Sequence, residues 1–78
     1  MEELLLTIAR GLMEDPAAVT VTQDEPQADG TIVFHLRVAA DDMGRVIGKQ
    51  GRIAKAMRTV MRAAASRQDA KISVEIDD

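Results

Sequence analysis

The chain has no cysteine, no tryptophan and no tyrosine, and its one aromatic residue is Phe34. Without cysteine there are no disulfides, no thiolate nucleophile and no sulfur-ligated zinc, a usage that suits a reducing compartment. Without exposed aromatics, nucleobases cannot be stacked on a sheet surface, and Phe34 itself occupies an inward strand position. No apolar run is long enough to span a bilayer. The start, MEELLLTIARGL, is acidic where a secretory signal would be basic, so the expected location is cytoplasmic. Only two prolines are present, Pro16 and Pro26, and both fall between periodic segments.

The most telling absence is local. From Met43 to Gln68 there is no aspartate or glutamate, while seven of the ten basic residues lie there: Arg45, Lys49, Arg52, Lys55, Arg58, Arg62 and Arg67. The other three basic residues share the rest of the chain with all 13 acids. A net charge of −3 therefore conceals a dipolar molecule with one positive face. A solvated helix face usually mixes both signs, so the exclusion of acids favours an anionic partner. A membrane surface fits less well, because the basic stripe lacks bulky apolar residues for insertion.

The 78 residues, with 46% apolar content, suit one small folded domain over 1–78. Leu5, Ile8, Ala9 and Leu12 recur at helical spacing, and Asp15-Pro16 ends that helix. Ala18 to Thr22 alternates as a short strand, and QDEPQADG closes on the turn signal Asp29-Gly30. Thr31 to Ala39 alternates more strongly, with Ile32, Phe34, Leu36 and Val38 on one side and Thr31, Val33, His35 and Arg37 on the other. These two strands are expected to pair as a hairpin. Asp41 offers an N-cap, with Asp42 behind it, to a short helix through Met43, Arg45, Val46 and Ile47. Arg52 to Ser66 forms a longer helix with Ile53, Met57, Val60, Met61 and Ala64 as its apolar side, and Lys71 to Ile76 a last strand. The crossover through two helices allows the second and third strands to run parallel. The expected architecture is α+β: a three-stranded mixed sheet covered on one face by three helices.

Gly48-Lys49-Gln50-Gly51 separates the two adjacent helices. Glycine permits a tight left-handed turn and keeps no side chain between the backbone and a ligand. A helix N-terminus beside such a turn is positively polarised, so a phosphodiester chain could lie on the backbone, with Lys49 and Gln50 adding charge and hydrogen bonding. Arg45 and Arg52 flank the turn, and Lys55 follows one turn later. A lone G-x-x-G would read as a helix cap, but this one lies in the acid-free window. A nucleotide P-loop does not fit: it needs four residues before Gly-Lys and then Ser or Thr, whereas three residues separate Gly44 from Gly48 and Gln50 follows Lys49. No G-x-G precedes the turn, which excludes a dinucleotide fingerprint. His35 stands alone on the outward side of its strand, so no catalytic or metal role is assigned to it and no cofactor is implied. With no Ser-His-Asp arrangement and no cysteine, nothing points to an enzyme.

The stretch GRVIGKQGR, Gly44 to Arg52, and the order of elements resemble the KH domain of type II topology. Over essentially all 78 residues the chain is similar to the bacterial KhpA family, small cytoplasmic single-KH proteins. The resemblance implies α-β-β-α-α-β order and single-stranded RNA clamped by the glycine turn, with bases in a groove between the two helices and a sheet edge. It places Gly48 and Gly51 as the paired glycines, Lys49 and Gln50 as the variable pair, and Ile47 as the apolar residue before them. Gly44, Arg45, Arg52 and Lys55 complete the implied RNA contact. It further implies post-transcriptional regulation as an RNA chaperone, homodimerisation, and pairing with a larger KH protein of the Jag or KhpB type. The edge of the stripe Met57, Val60, Met61 and Ala64 is the expected dimer surface. Two positions depart from the family pattern: many members carry a basic residue or glycine at the place of Gln50, and isoleucine at the groove-floor place of Ala54.

Overall fold

The computed structural model describes residues 1–77, with the side chain of Lys49 outside the description. Helix α1 spans Glu2–Leu12, with Glu2 and Glu3 at its positive end and Arg10 in its last turn. Met13 turns extended and is buried. Pro16–Ala18 forms a single 3-10 turn, with Pro16 in its first position. Strand β1 therefore begins later than the alternation suggests, at Thr20, and runs to Gln23. Strand β2 is Ile32–Arg37 and β3 is Ile72–Asp77.

The sheet order is β1-β2-β3. The hairpin pairs β1 antiparallel to β2, with Val21 opposite Leu36 and Thr22 opposite His35. The crossover pairs β2 parallel to β3, with Phe34 opposite Val74 and Leu36 opposite Ile76. Both pairings agree with the sequence expectation. In the hairpin loop the Thr31 N–H donates to Asp29 Oδ1 at 3.0 Å, which holds the Asp29 carboxyl below its ordinary range. Gly30 takes φ +89, the conformation glycine tolerates best.

Helical structure continues from Ala40 to Arg67 as α2. Straight, 28 residues would extend about 42 Å at 1.5 Å each. The longest dimension of the molecule is 34 Å. The bend is at Gln50 and Gly51, with φ +62 and +70, values no right-handed helix contains. Two limbs result, 40–49 and 52–67, and with α1 they make the three helices of the expected order. The turn was expected to start at Gly48, with the short helix ending there. Gly48 instead stays helical, and the left-handed step falls two residues later.

All three helices cover one sheet face. Leu5 and Ala9 of α1 meet Phe34, Leu36 and Val74 of the sheet and Val46, Ala54, Met57 and Met61 of α2 in one core cluster. The second limb's core stripe is rotated from the expected one. Ala54, Met57, Met61 and Ala65 are inside, whereas Val60 is 45% exposed and Ile53 and Ala64 are half-buried. Small alanines at 54 and 65 let the limb approach the sheet, which carries the bulkier Val60 outward. On the other sheet face, Val33 was assigned outward and yet is buried, because β2 is shielded by a strand on each flank.

The two aspartates at the start of α2 do not cap it. The N-cap position is Ala39, and no side chain caps it. Asp42 is buried and reaches back 28 residues: Oδ1 accepts from the Glu14 N–H and Oδ2 from the Asp15 N–H, both at 3.1 Å. It ties the chain leaving α1 to the first turn of α2. A cap reading looks only at nearby backbone, whereas these donors are brought up by tertiary packing.

Candidate nucleic-acid interface

Gly44 and Gly48 lie four apart on the first limb, so they stack on one face. With Arg45, Arg52 and Ile53 they line an open cavity of about 310 Å³. The first limb supplies a bare backbone floor, and the second supplies the wall. A Cβ added at Gly44 or Gly48 would meet nothing within 4 Å. Nothing inside the protein therefore demands glycine at either place. Gly51 differs: its φ of +70 favours glycine on conformational grounds. Gln50 takes the same left-handed conformation without being glycine, which turns its side chain outward and leaves it exposed. Holding a non-glycine residue there costs about 1–2 kcal/mol, a strain often found at functional turns.

Around this trough, Arg52 and Lys55 are exposed on the second limb. Ile47 is 59% exposed beside the turn, a large apolar side chain left in solvent. Arg45 Nη1 donates to Glu14 Oε1 at 3.0 Å, so an acid from outside the basic window partly occupies one rim cation. The side chain of Lys49 lies outside the described residues. Ala54, expected at the groove floor, belongs to the core, and Ile53 faces the trough in its place. The helical stretch passes through 48–51 with no unstructured residue.

Met57 and Met61 are spent inside the monomer, at 1% and 0% exposure. The surface left along the expected dimer stripe is Val60 with the neighbouring alanines Ala63 and Ala64, beside Arg67 and Gln68, around a shallow hollow of about 320 Å³.

Sequence reasoning missed the contacts of two further residues. Arg58 is half-buried, and its Nε donates to the Val74 carbonyl of β3 at 3.1 Å. His35 spans all three strands: Nε2 lies 2.7 Å from Asp24 Oδ2, just beyond β1, and Nδ1 lies 3.1 Å from Asp77 Oδ2 on β3. The hydrogen bond to Asp24, and then that to Asp77, raise the imidazole pKa above its ordinary value. The two carboxylates lie at opposite ring nitrogens, so the trio stitches the open sheet face and cannot close around one metal ion. The alternating pattern places His35 on that face, but neither partner could be read without knowing strand register. No helix among the described residues is long and apolar enough to cross a membrane.

Comparison with known proteins gives one family. The model of the KhpA/KhpB KH domain matches residues 2–76. Among curated relatives, RNA-binding protein KhpA of Listeria monocytogenes is 50% identical over 76 residues, covering 97% of each chain. RNA-binding protein KhpA of Clostridium acetobutylicum is also 50% identical, covering 97% of this chain and 99% of the relative. Among solved structures, Era in complex with MgGDPNP and nucleotides 1506–1542 of 16S ribosomal RNA superposes with a TM-score of 0.70 at 19% identity. That match covers 96% of this chain and 28% of the Era chain, a likeness of fold.

Proposed function

This chain belongs to the KhpA/KhpB KH-domain family with the type II KH fold, and from that premise we propose that it is a non-catalytic protein binding single-stranded RNA across the Gly48–Gly51 turn. The names of its relatives support RNA as the ligand. One observation carries the placement. Gly44 and Gly48 each cost a helix about 1 kcal/mol relative to alanine, and, unlike Gly11, whose surroundings are equally open, they line a trough together with Arg45, Arg52 and Ile53. Space held open at the expense of stability, within a window free of acids, suits a ligand whose backbone must come close. Arg45, Lys49, Arg52 and Lys55 would meet phosphates, Gln50 would hydrogen-bond, and Ile47 and Ile53 would pack on sugars or bases. A cytoplasmic role in post-transcriptional regulation, as an RNA chaperone, follows from this reading.

Gly48→Ala tests it, because folding and binding should move in opposite directions. The alanine gains about 1 kcal/mol of helix stability and raises Tm by about 4–8 °C. The new methyl stands in the trough and weakens binding of a labelled single-stranded RNA by about tenfold, or 1.4 kcal/mol. A stabilised variant with native RNA affinity would remove the trough from the interface.

Exposed Val60 favours a second role, assembly with another copy or with a larger KH partner of the KhpB type. In sedimentation, Val60→Arg should convert a dimer to a monomer that still binds RNA with full affinity. An unchanged mass would take Val60 out of the interface.

A further inference from the structure

Along the chain, the window from Met43 to Gln68 holds no acid, yet the fold brings one back to it. Glu14, just beyond α1, is 31 residues from Arg45, and its Oε1 accepts from Arg45 Nη1 at 3.0 Å. Among the described residues this is the one ion pair between an arginine or a lysine and a carboxylate. Arg45 lines the trough together with Gly44, Gly48, Arg52 and Ile53. The acid therefore stands at the rim of the proposed RNA site.

The fold fixes where this acid stands. Buried Asp42 accepts from the Glu14 N–H with Oδ1 and from the Asp15 N–H with Oδ2, both at 3.1 Å. Asp42 and Arg45 are three residues apart on one helix, so their side chains are neighbours on its surface. The anchor of the Glu14 main chain and the cation met by its carboxylate thus belong to one limb. The carboxylate itself is held loosely. The Glu14 side chain is 81% exposed and that of Arg45 47%, and one Oε1–Nη1 contact joins them. An exposed pair of this kind adds little stability, so the fold does not depend on it. What it alters is the electrostatics of the trough. A phosphate reaching Arg45 must displace the carboxylate or lie beside it, and like charges brought together at an interface oppose binding.

We propose that Glu14 is a built-in competitor of RNA phosphate for Arg45, an acid of the protein's own that holds RNA affinity down. The proposal rests on the RNA reading above and names a residue that works against it. Fluorescence anisotropy with a labelled single-stranded RNA of randomised sequence tests it. Glu14→Gln keeps the size of the side chain and the main-chain tie to Asp42, and should tighten binding about fivefold. The freed Arg45 gains a phosphate contact, so the slope of log K against log salt should steepen by about 0.7, the increment for one phosphate of a single strand. Asp15→Asn removes the neighbouring exposed acid, which is tied to Asp42 in the same way but has no cation within pairing distance among the described residues. It should change affinity by less than about twofold, because salt screens such a charge. In an Arg45→Gln background, Glu14→Gln should leave affinity unaltered, as competition for that one cation requires. Equal gains from Glu14→Gln and Asp15→Asn, or a gain that persists without Arg45, reduce the effect to net charge and overturn the competition. Weaker binding by Glu14→Gln makes Glu14 a residue that orients Arg45 toward RNA, and overturns it too. Unaltered affinity and slope overturn it and leave the RNA reading standing. If neither the native chain nor any variant binds the RNA, that reading and the competition fall together.

Discussion

Replacing Lys49 and Gln50 together by aspartate lowers single-stranded RNA affinity on the order of 100-fold while the fold stays native. The double change shifts the charge of the turn by three units in the negative direction. Like charges brought together at an interface cost several kcal/mol, and about 3 kcal/mol corresponds to that factor. The backbone accepts the change. Gln50 sits at φ +62, and aspartate is among the residues enriched in that region. Circular dichroism and Tm should therefore match the parent. The salt titration should change as well. With three to five phosphate contacts, log K of the parent falls against log salt with a slope of about −2 to −3.5, and the variant's slope is shallower. Native dichroism with unaltered affinity would mean that RNA does not cross the turn.

Asp42→Ala has the largest expected effect on folding. Both carboxylate oxygens are engaged by backbone N–H groups across 28 and 27 residues of sequence. Hydrogen bonds to a charged group contribute about 1.5–3 kcal/mol each, and removing the acceptor strands both donors. A loss of about 3 kcal/mol is a large part of what so small a core supplies, and it lowers Tm by about 12–24 °C. Asp41→Ala, one residue earlier and exposed, should stay within about 0.5 kcal/mol. Thermal unfolding of the two variants decides the matter. Equal shifts would mean the carboxylates act through the helix dipole, which treats neighbours alike, and not through the tie to Glu14 and Asp15.

The two variants bracket what could be read at this site. Gly44 to Arg52 was legible because a pair of glycines, the acid-free run and the family resemblance converge on one short segment. The placement of the turn was not. Glycine is permissive at both 48 and 51, and sequence offers no reason to place a left-handed residue at Gln50. Only the packing of two limbs on one sheet imposes it. Ile53 and Ala54 exchanged roles for a similar reason. A helical period locates an apolar side to within a residue, whereas close approach to the sheet selects the alanine for the inside. Further along the limb the same preference shows again, with the expected Val60 exposed and Ala65 buried.

Sequence alone determined the hairpin over Asp29-Gly30, the segregation of charge and the presence of a glycine turn between two basic helical segments. All of these are local: they depend on side-chain period, on the dihedral freedom of single residues, or on which charges are neighbours along the chain. Tertiary structure decided the rest. It buried Asp42 against amides brought from the far side of the first loop, set His35 between carboxylates of two other segments, and fastened Arg58 to the edge of the last strand. Each of those contacts joins groups 11 or more residues apart, and such pairings follow from register and packing distance, which no local pattern encodes.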